Sequence, residues 1–197
     1  MQQLWFRPLV WTDYRLALIF TVILPVIFLL WALLQKVESI QRLLIIYWRV
    51  ASLLMISIYL MIPSWPIAFI TSFAARILIA IALWFWVDLN DEIKDLPKSL
   101  LKLAFTAWRW AVTIYTLLGA LALVPFYSCV FTEGAIKQPF CEVWSEAPWQ
   151  YKSWMHPNFA PSVLGFFGLV GLLFYIFYLG YFLLFRLSKQ GRTALEQ

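Results

Sequence analysis

Ionisable, metal-ligating and nucleophilic groups are sparse in this chain outside one stretch. Among 197 residues there is one histidine, His156, and there are two cysteines, Cys129 and Cys141. A single histidine cannot supply a paired motif such as HExxH, and two cysteines at that interval do not match a zinc pair. No glycine-rich phosphate loop and no nucleophile elbow occurs. The densest carboxylates are Asp88, Asp91, Glu92 and Asp95 in DLNDEIKD. Lysine interrupts them and their spacing is not that of an EF-hand, so they read as a solvated charged turn. No catalytic residue and no metal ligand is assigned, and the chain is expected not to be an enzyme.

Arg76 stands apart. It lies in the apolar run 66–87, roughly ten residues from either end, where an unpaired charge costs at least ~2.5 to 3.5 kcal/mol. No acidic residue falls inside any apolar run, so the sequence shows no carboxylate of its own to meet it. The alternatives are a pocket of backbone carbonyls and water, an anionic ligand or lipid headgroup, or a carboxylate of another protein. If a partner holds Arg76, Arg76→Leu should weaken docking; if its own bundle holds it, the change should act on stability. Arg49 is a second contact candidate, although it lies about two turns from a polar turn and can snorkel to the surface. Gly165, Gly168 and Gly171 remove side chains at intervals of three, which lets a neighbouring helix, or a pigment ring, approach closely.

The elements that carry these residues follow from composition. A chain that is 63% hydrophobic and 13% charged lies far from soluble domains and close to membrane proteins. The net charge of +5 fits loops beside anionic lipids, so membrane lipids are expected partners and nucleic acid is not. The fold expected is all-α: one integral membrane domain with spans at about 16–34, 43–62, 66–87, 103–130 and 162–185, and an extracytoplasmic loop at 131–161. The opening MQQLWFRPLVWTDYR is expected at the headgroup level with its rings in the interface. No small-x-small cleavage site follows the first apolar run, so that span is expected to be retained. Pro25 frees the carbonyl of Thr21 and should kink the first span. Trp108, Arg109 and Trp110 read as the entrance of the fourth span into hydrocarbon, and the tail RLSKQGRTALEQ as frayed.

Basic residues outside the spans divide unevenly. Arg7, Arg15, Lys137 and Lys152 lie on one side; Lys36, Arg42, Lys94, Lys98, Lys102, Arg186, Lys189 and Arg192 lie on the other. The positive-inside rule makes the second side, with the carboxyl terminus, cytoplasmic or stromal. Cys129 and Cys141 then fall on the oxidising side, where a disulfide between them is expected and two unpaired thiols are the alternative.

WFRPLVWTDYRLA (5–17), QRLLIIYWRVASLL (41–54), ARILIAIALWFWVDLNDEI (75–93), AFTAWRWAVT (104–113) and YLGYFLLFRLSKQGR (178–192) together resemble an uncharacterised family of cyanobacterial and algal multi-pass membrane proteins of about this length. The resemblance covers nearly the whole chain except the cysteine loop and brings no catalytic residues. It implies a photosynthetic membrane, the thylakoid, with the amino terminus lumenal, and a place among proteins that build or accompany pigment-protein complexes. Chlorophyll or carotenoid is the cofactor class this setting would offer. Single-helix light-harvesting-like proteins bind chlorophyll through ExxNxR, where this chain has DLNDEIKD without the arginine. The expected function is therefore an accessory or assembly factor that binds a larger photosynthetic complex. The alternatives are a small oligomeric transporter or channel, which a polar cavity reaching Arg76 would favour, and a lipid-modifying enzyme, which converging carboxylates and hydroxyls near Asp88 would favour.

Overall fold

The computed structural model describes residues 4–132, 134–187 and 191–194. In hydrocarbon every backbone polar group must be satisfied within its own segment, so apolar runs of this length become helices. Among the described residues there is no strand, and five helices are long and apolar enough to cross a membrane. These are α1 (Arg7–Leu34), α2 (Glu38–Met61), α3 (Ile67–Phe85), α5 (Leu100–Phe131) and α7 (Pro161–Arg186). Two shorter helices, α4 (Val87–Asp95) and α6 (Glu146–Met155), lie at opposite ends of the bundle. The protein is an all-α integral membrane bundle.

The centre of the bundle is α2, which packs on α1, α3 and α7, while α5 packs on α3 and α1. Two apolar cores result. One, toward the charged turn, gathers Leu43, Leu44, Tyr47, Phe105 and Trp108. The other, toward the cysteine loop, gathers Leu60, Phe69, Leu123, Phe126 and Trp144. Tight turns join α1 to α2 and α2 to α3, closed by Lys36 and Ser64 at φ 55° and 57°, a left-handed backbone unusual for residues with a Cβ.

Three elements depart from the sequence reading. First, the segment expected along the interface is the start of α1. Pro8 sits in the first turn, where its missing N–H costs nothing, and the loop satisfies the exposed polar groups. Glu146 accepts from Arg7 Nε at 2.9 Å and Trp11 Nε1 at 2.7 Å, and Tyr14 Oη donates to the Trp144 carbonyl at 2.7 Å. Second, the described residues of 131–161 form a cap of short helices rather than open loop. Cys129 and Cys141 are joined by a disulfide with their Cα atoms 5.8 Å apart. Third, the described end of the tail is docked rather than frayed. Val87 N donates to the Arg192 carbonyl, and Ala194, only 3% exposed, donates its N–H to Asp88 Oδ2 at 2.6 Å. The remaining tail residues, Lys189 among them, lie outside the described residues.

Pro25 acts as its chemistry requires. Ahead of it the backbone widens into a π-helical stretch, Leu18–Ile23, in which Leu24 N bonds back to the Ile19 carbonyl. Proline then leaves two carbonyls without a donor: Thr21, its α-helical partner, and Phe20, its π-helical one. Tyr47 Oη of α2 donates to the Thr21 oxygen at 2.8 Å, and Trp108 Nε1 of α5 to the Phe20 oxygen at 2.9 Å. The π-helical stretch is thereby pinned to both neighbouring helices.

Candidate functional site: a buried ion pair and the cavity beside it

Arg76 lies nine residues beyond Ile67, roughly 13 Å along α3. It is 6% exposed. Contrary to the sequence reading, its partner is within the chain. Asp13, six residues into α1, receives both terminal nitrogens: Nη1 reaches Oδ1 at 3.1 Å and Nη2 bonds Oδ2. This fork geometry is the strong form of an arginine–carboxylate pair. Tyr115 of α5 completes it, its hydroxyl 2.9 Å from both Asp13 Oδ1 and the Asp13 backbone oxygen, with its ring 5.5 Å from the guanidinium. One turn on, Gly119 faces the guanidinium, and a Cβ there would overlap Nη1. Helices α1, α3 and α5 therefore converge on one neutral cluster between the two apolar cores.

The second buried arginine is Arg109, which sequence reasoning placed at the entrance to hydrocarbon. It is 3% exposed. Helix α5 begins at Leu100, where Ser99 caps it through Lys102 N at 3.1 Å, and this start carries Arg109 inward. Its Nη2 donates to the Leu83 carbonyl and to Asn90 Oδ1, and its guanidinium lies 4.1 Å from the centroid of the Trp84 ring. The reason is the break at Trp86, whose extended backbone ends α3 and leaves that helix's last carbonyls without intrahelical donors. Arg109 takes Leu83, Asn90 Nδ2 takes Trp84 at 3.0 Å, and Arg192 Nε takes Phe85 at 2.8 Å. Cations at a helix C-terminus are also favoured by its dipole.

The remaining candidates are scattered. Arg49 is exposed in the groove between α2 and α7, its Nη1 3.4 Å from Tyr178 Oη. The glycines turn inward on α2. A Cβ on Gly165 would stand 2.6 Å from Pro63 Cγ, on Gly168 3.1 Å from Leu60, and on Gly171 3.3 Å from Ile56. That face is taken up by the chain's own helix, which is the close approach glycine permits. Asp88 is bound by the tail, whereas Asp91, Glu92 and Asp95 are exposed on α4, whose end is capped by Lys102 Nζ at 2.6 Å from the Lys94 and Leu96 carbonyls. Among the described residues no three His, Cys, Asp or Glu side chains come together as a metal-binding group. His156 Nε2 lies 2.8 Å from Tyr59 Oη, and neighbouring Tyr151 has its phenol pushed up to about 12 by burial and by Tyr59.

Beside the ion pair lies a cavity of about 430 Å³ between α1, α2 and α3, closed at the loop end by Trp144 and Tyr151. Arg76 forms part of its wall, but most of the wall is apolar: Leu18, Val22, Leu54, Met55 and Phe69. Asp13, Tyr115 and Gly119 were not singled out from the sequence. The signal that could have found Asp13 is that it is the one acid just ahead of the first span, while Arg76 is a cation without a counter-ion.

A family model described as protein of unknown function (DUF3177) matches residues 7–195. No curated protein and no solved structure matches the chain.

Proposed function

We propose that this chain, which belongs to that family of unknown function, is an integral membrane accessory or assembly factor that acts by binding beside a larger membrane complex. The observation that carries the reading is the placement of α7. Its glycine face is held by α2 at the edge of the bundle, and its other faces turn Phe166, Phe174, Phe177 and Tyr181 outward, each more than half exposed. Positions 166, 174, 177 and 181 follow a helical stripe. Rigid rings of this kind bury large area at low entropic cost and are enriched in the buried centres of protein interfaces.

Charge satisfaction supports the same reading. Both buried arginines bond groups of their own chain through their terminal nitrogens, and the cavity reaching Arg76 is largely apolar, so the transporter reading gains no observation of its own. The enzyme reading expected carboxylates and hydroxyls converging near Asp88, and the group that meets its Oδ2 is the tail backbone instead. The photosynthetic setting, with a thylakoid pigment-protein complex as partner and a stromal carboxyl terminus, rests on the family resemblance and the asymmetry of basic residues.

The test is purification of the tagged protein from a photosynthetic membrane in mild detergent, beside a Phe174→Ala/Phe177→Ala variant. The expected result is a larger pigmented complex with the parent chain and its loss with the variant at equal abundance. A parent chain that purifies alone, or a variant that retains the complex, overturns the reading. Protease protection that found the tail on the lumenal face would overturn the orientation.

A further inference from the structure

Arg76 and Arg109 are buried within the bundle, where charged side chains on membrane-crossing helices almost always lie. Arg49 departs from that rule. It stands eleven residues beyond Glu38, roughly 16 Å along α2, and is exposed. It lines a groove formed by α2, α3 and α7 toward the charged turn, whose walls include Val50, Leu78, Ile81, Leu179 and Leu183. Ile81 and Leu183 are 50% and 49% exposed, so the groove opens sideways to lipid. The residues that α7 gives it, Tyr175, Tyr178, Leu179 and Leu183 among them, lie on a different face from the stripe at 166, 174, 177 and 181. The groove is therefore separate from the docking surface of that helix.

Charge says what the groove takes. Among the described residues that line it, Arg49 is the charged one. A second arginine is seated on its wall: Arg192, also exposed, donates Nε to the carbonyl of wall residue Phe85 at 2.8 Å and holds its guanidinium 5.2 Å from that ring's centroid. Asp88, the acid nearest this wall in sequence, bonds the tail backbone and is not among the lining residues. The field over these apolar walls is thus positive. Basic pockets between membrane helices on the cytoplasmic side take acidic lipid headgroups, and the asymmetry of basic residues assigns this end of the bundle to that side. Arginine's planar fork matches phosphate oxygens, and the Tyr178 hydroxyl lies 3.4 Å from Arg49 Nη1. A cavity of about 130 Å³ is smaller than the roughly 300 to 1,000 Å³ that encloses a soluble small molecule, so it seats part of a ligand whose remainder stays in the bilayer. We propose that this groove binds an anionic phospholipid of the adjoining leaflet, with its phosphate at Arg49, Arg192 adding to the positive field, and an acyl chain along the apolar walls.

The test uses the full chain in non-ionic detergent, stripped of lipid, titrated separately with didecanoylphosphatidylglycerol, with zwitterionic didecanoylphosphatidylcholine and with inorganic phosphate while the thermal unfolding midpoint is followed. A ligand that binds only the folded state raises that midpoint. The expected result is a saturable rise with phosphatidylglycerol, an apparent affinity about tenfold weaker for phosphatidylcholine, and no rise with phosphate at the same concentrations. Arg49→Gln removes the charge at an exposed position and leaves the apolar walls in place. It should weaken the phosphatidylglycerol affinity about tenfold to hundredfold, with Arg49→Lys falling between it and the parent, and Arg192→Gln should weaken it about fivefold. The comparison of the two lipids on the parent chain stands even if a variant fails to fold. Equal affinity for both lipids, a rise with phosphate as large as that with lipid, or an unaltered affinity in Arg49→Gln overturns the proposal. Loss of the copurifying complex in Arg49→Gln, with no lipid preference in the parent, assigns Arg49 to a partner protein's carboxylate and overturns it as well.

Discussion

Replacing Arg76 with leucine separates an internal role from a docking role, because the two act on different observables. The arginine and Asp13 form a two-pronged pair whose side chains are 7% and 18% exposed. Removing one member of a buried pair costs about 3 to 5 kcal/mol, because the other charge stays behind without compensation. The lower end applies here, since Asp13 retains the Tyr115 hydroxyl at 2.9 Å and some access to solvent. For a chain of this size each kcal/mol corresponds to roughly 2 to 4 °C, so Arg76→Leu should lower the unfolding midpoint by roughly 6 to 12 °C. Tryptophan fluorescence on heating in detergent is a suitable assay. Replacing both members by leucine should recover most of the loss, because an apolar pair of similar volume is often as stable as the ions it replaces. The cycle should yield a coupling above about 2 kcal/mol. A single variant within 2 °C (roughly 1 kcal/mol) of the parent, or a double variant at the sum of the two singles, would refute the assignment.

Three further outcomes follow from the same contacts. Gly119→Ala should cost about as much as Arg76→Leu, since its Cβ displaces the guanidinium, yet be harmless in the Arg76→Leu background, where alanine favours the helix by ~1 kcal/mol; equal losses in both backgrounds would contradict this. Tyr47→Phe leaves the Thr21 carbonyl beside Pro25 without its donor and should cost about 1 to 3 kcal/mol, read by the same melt. Thiol labelling of the unreduced, denatured protein should find no free cysteine, and reduction of the Cys129–Cys141 bridge should cost on the order of 3 kcal/mol; labelling of both cysteines would contradict the pairing.

The spans were legible because a bilayer demands long apolar runs, and a helix must use them. Their ends were less so. Helix α1 starts at Arg7 instead of near 16, and α2 at Glu38 instead of near 43, because a helix does not stop where its apolar run does. That difference hid the ion pair. With the first span begun after Arg15, Asp13 fell outside the membrane and Arg76 had no visible partner. Arg109 was misplaced similarly: tryptophans flank an interface arginine, but they also flank one whose guanidinium stacks on an indole from the next helix. The freed carbonyl at Thr21 was readable from Pro25 alone, whereas its donor, 26 residues on, depends on how α1 meets α2. The glycine stripe announced close packing, but which helix it would meet is a property of the assembled bundle.

The Asp13–Arg76 pair also constrains how the chain is made. Asp13 emerges 63 residues ahead of its partner. At roughly 5 to 20 residues per second, the carboxylate waits about 3 to 13 s with no cation to meet it. Sinking alone into hydrocarbon would cost about 2.5 to 3.5 kcal/mol, so the first turns of α1 rest at the surface during that interval. They reach their final depth only when α3 delivers Arg76. Insertion of the first and third helices is thereby coupled, and a nascent chain stopped before Arg76 would hold its first helix shallow, in the interfacial position that its sequence alone suggests.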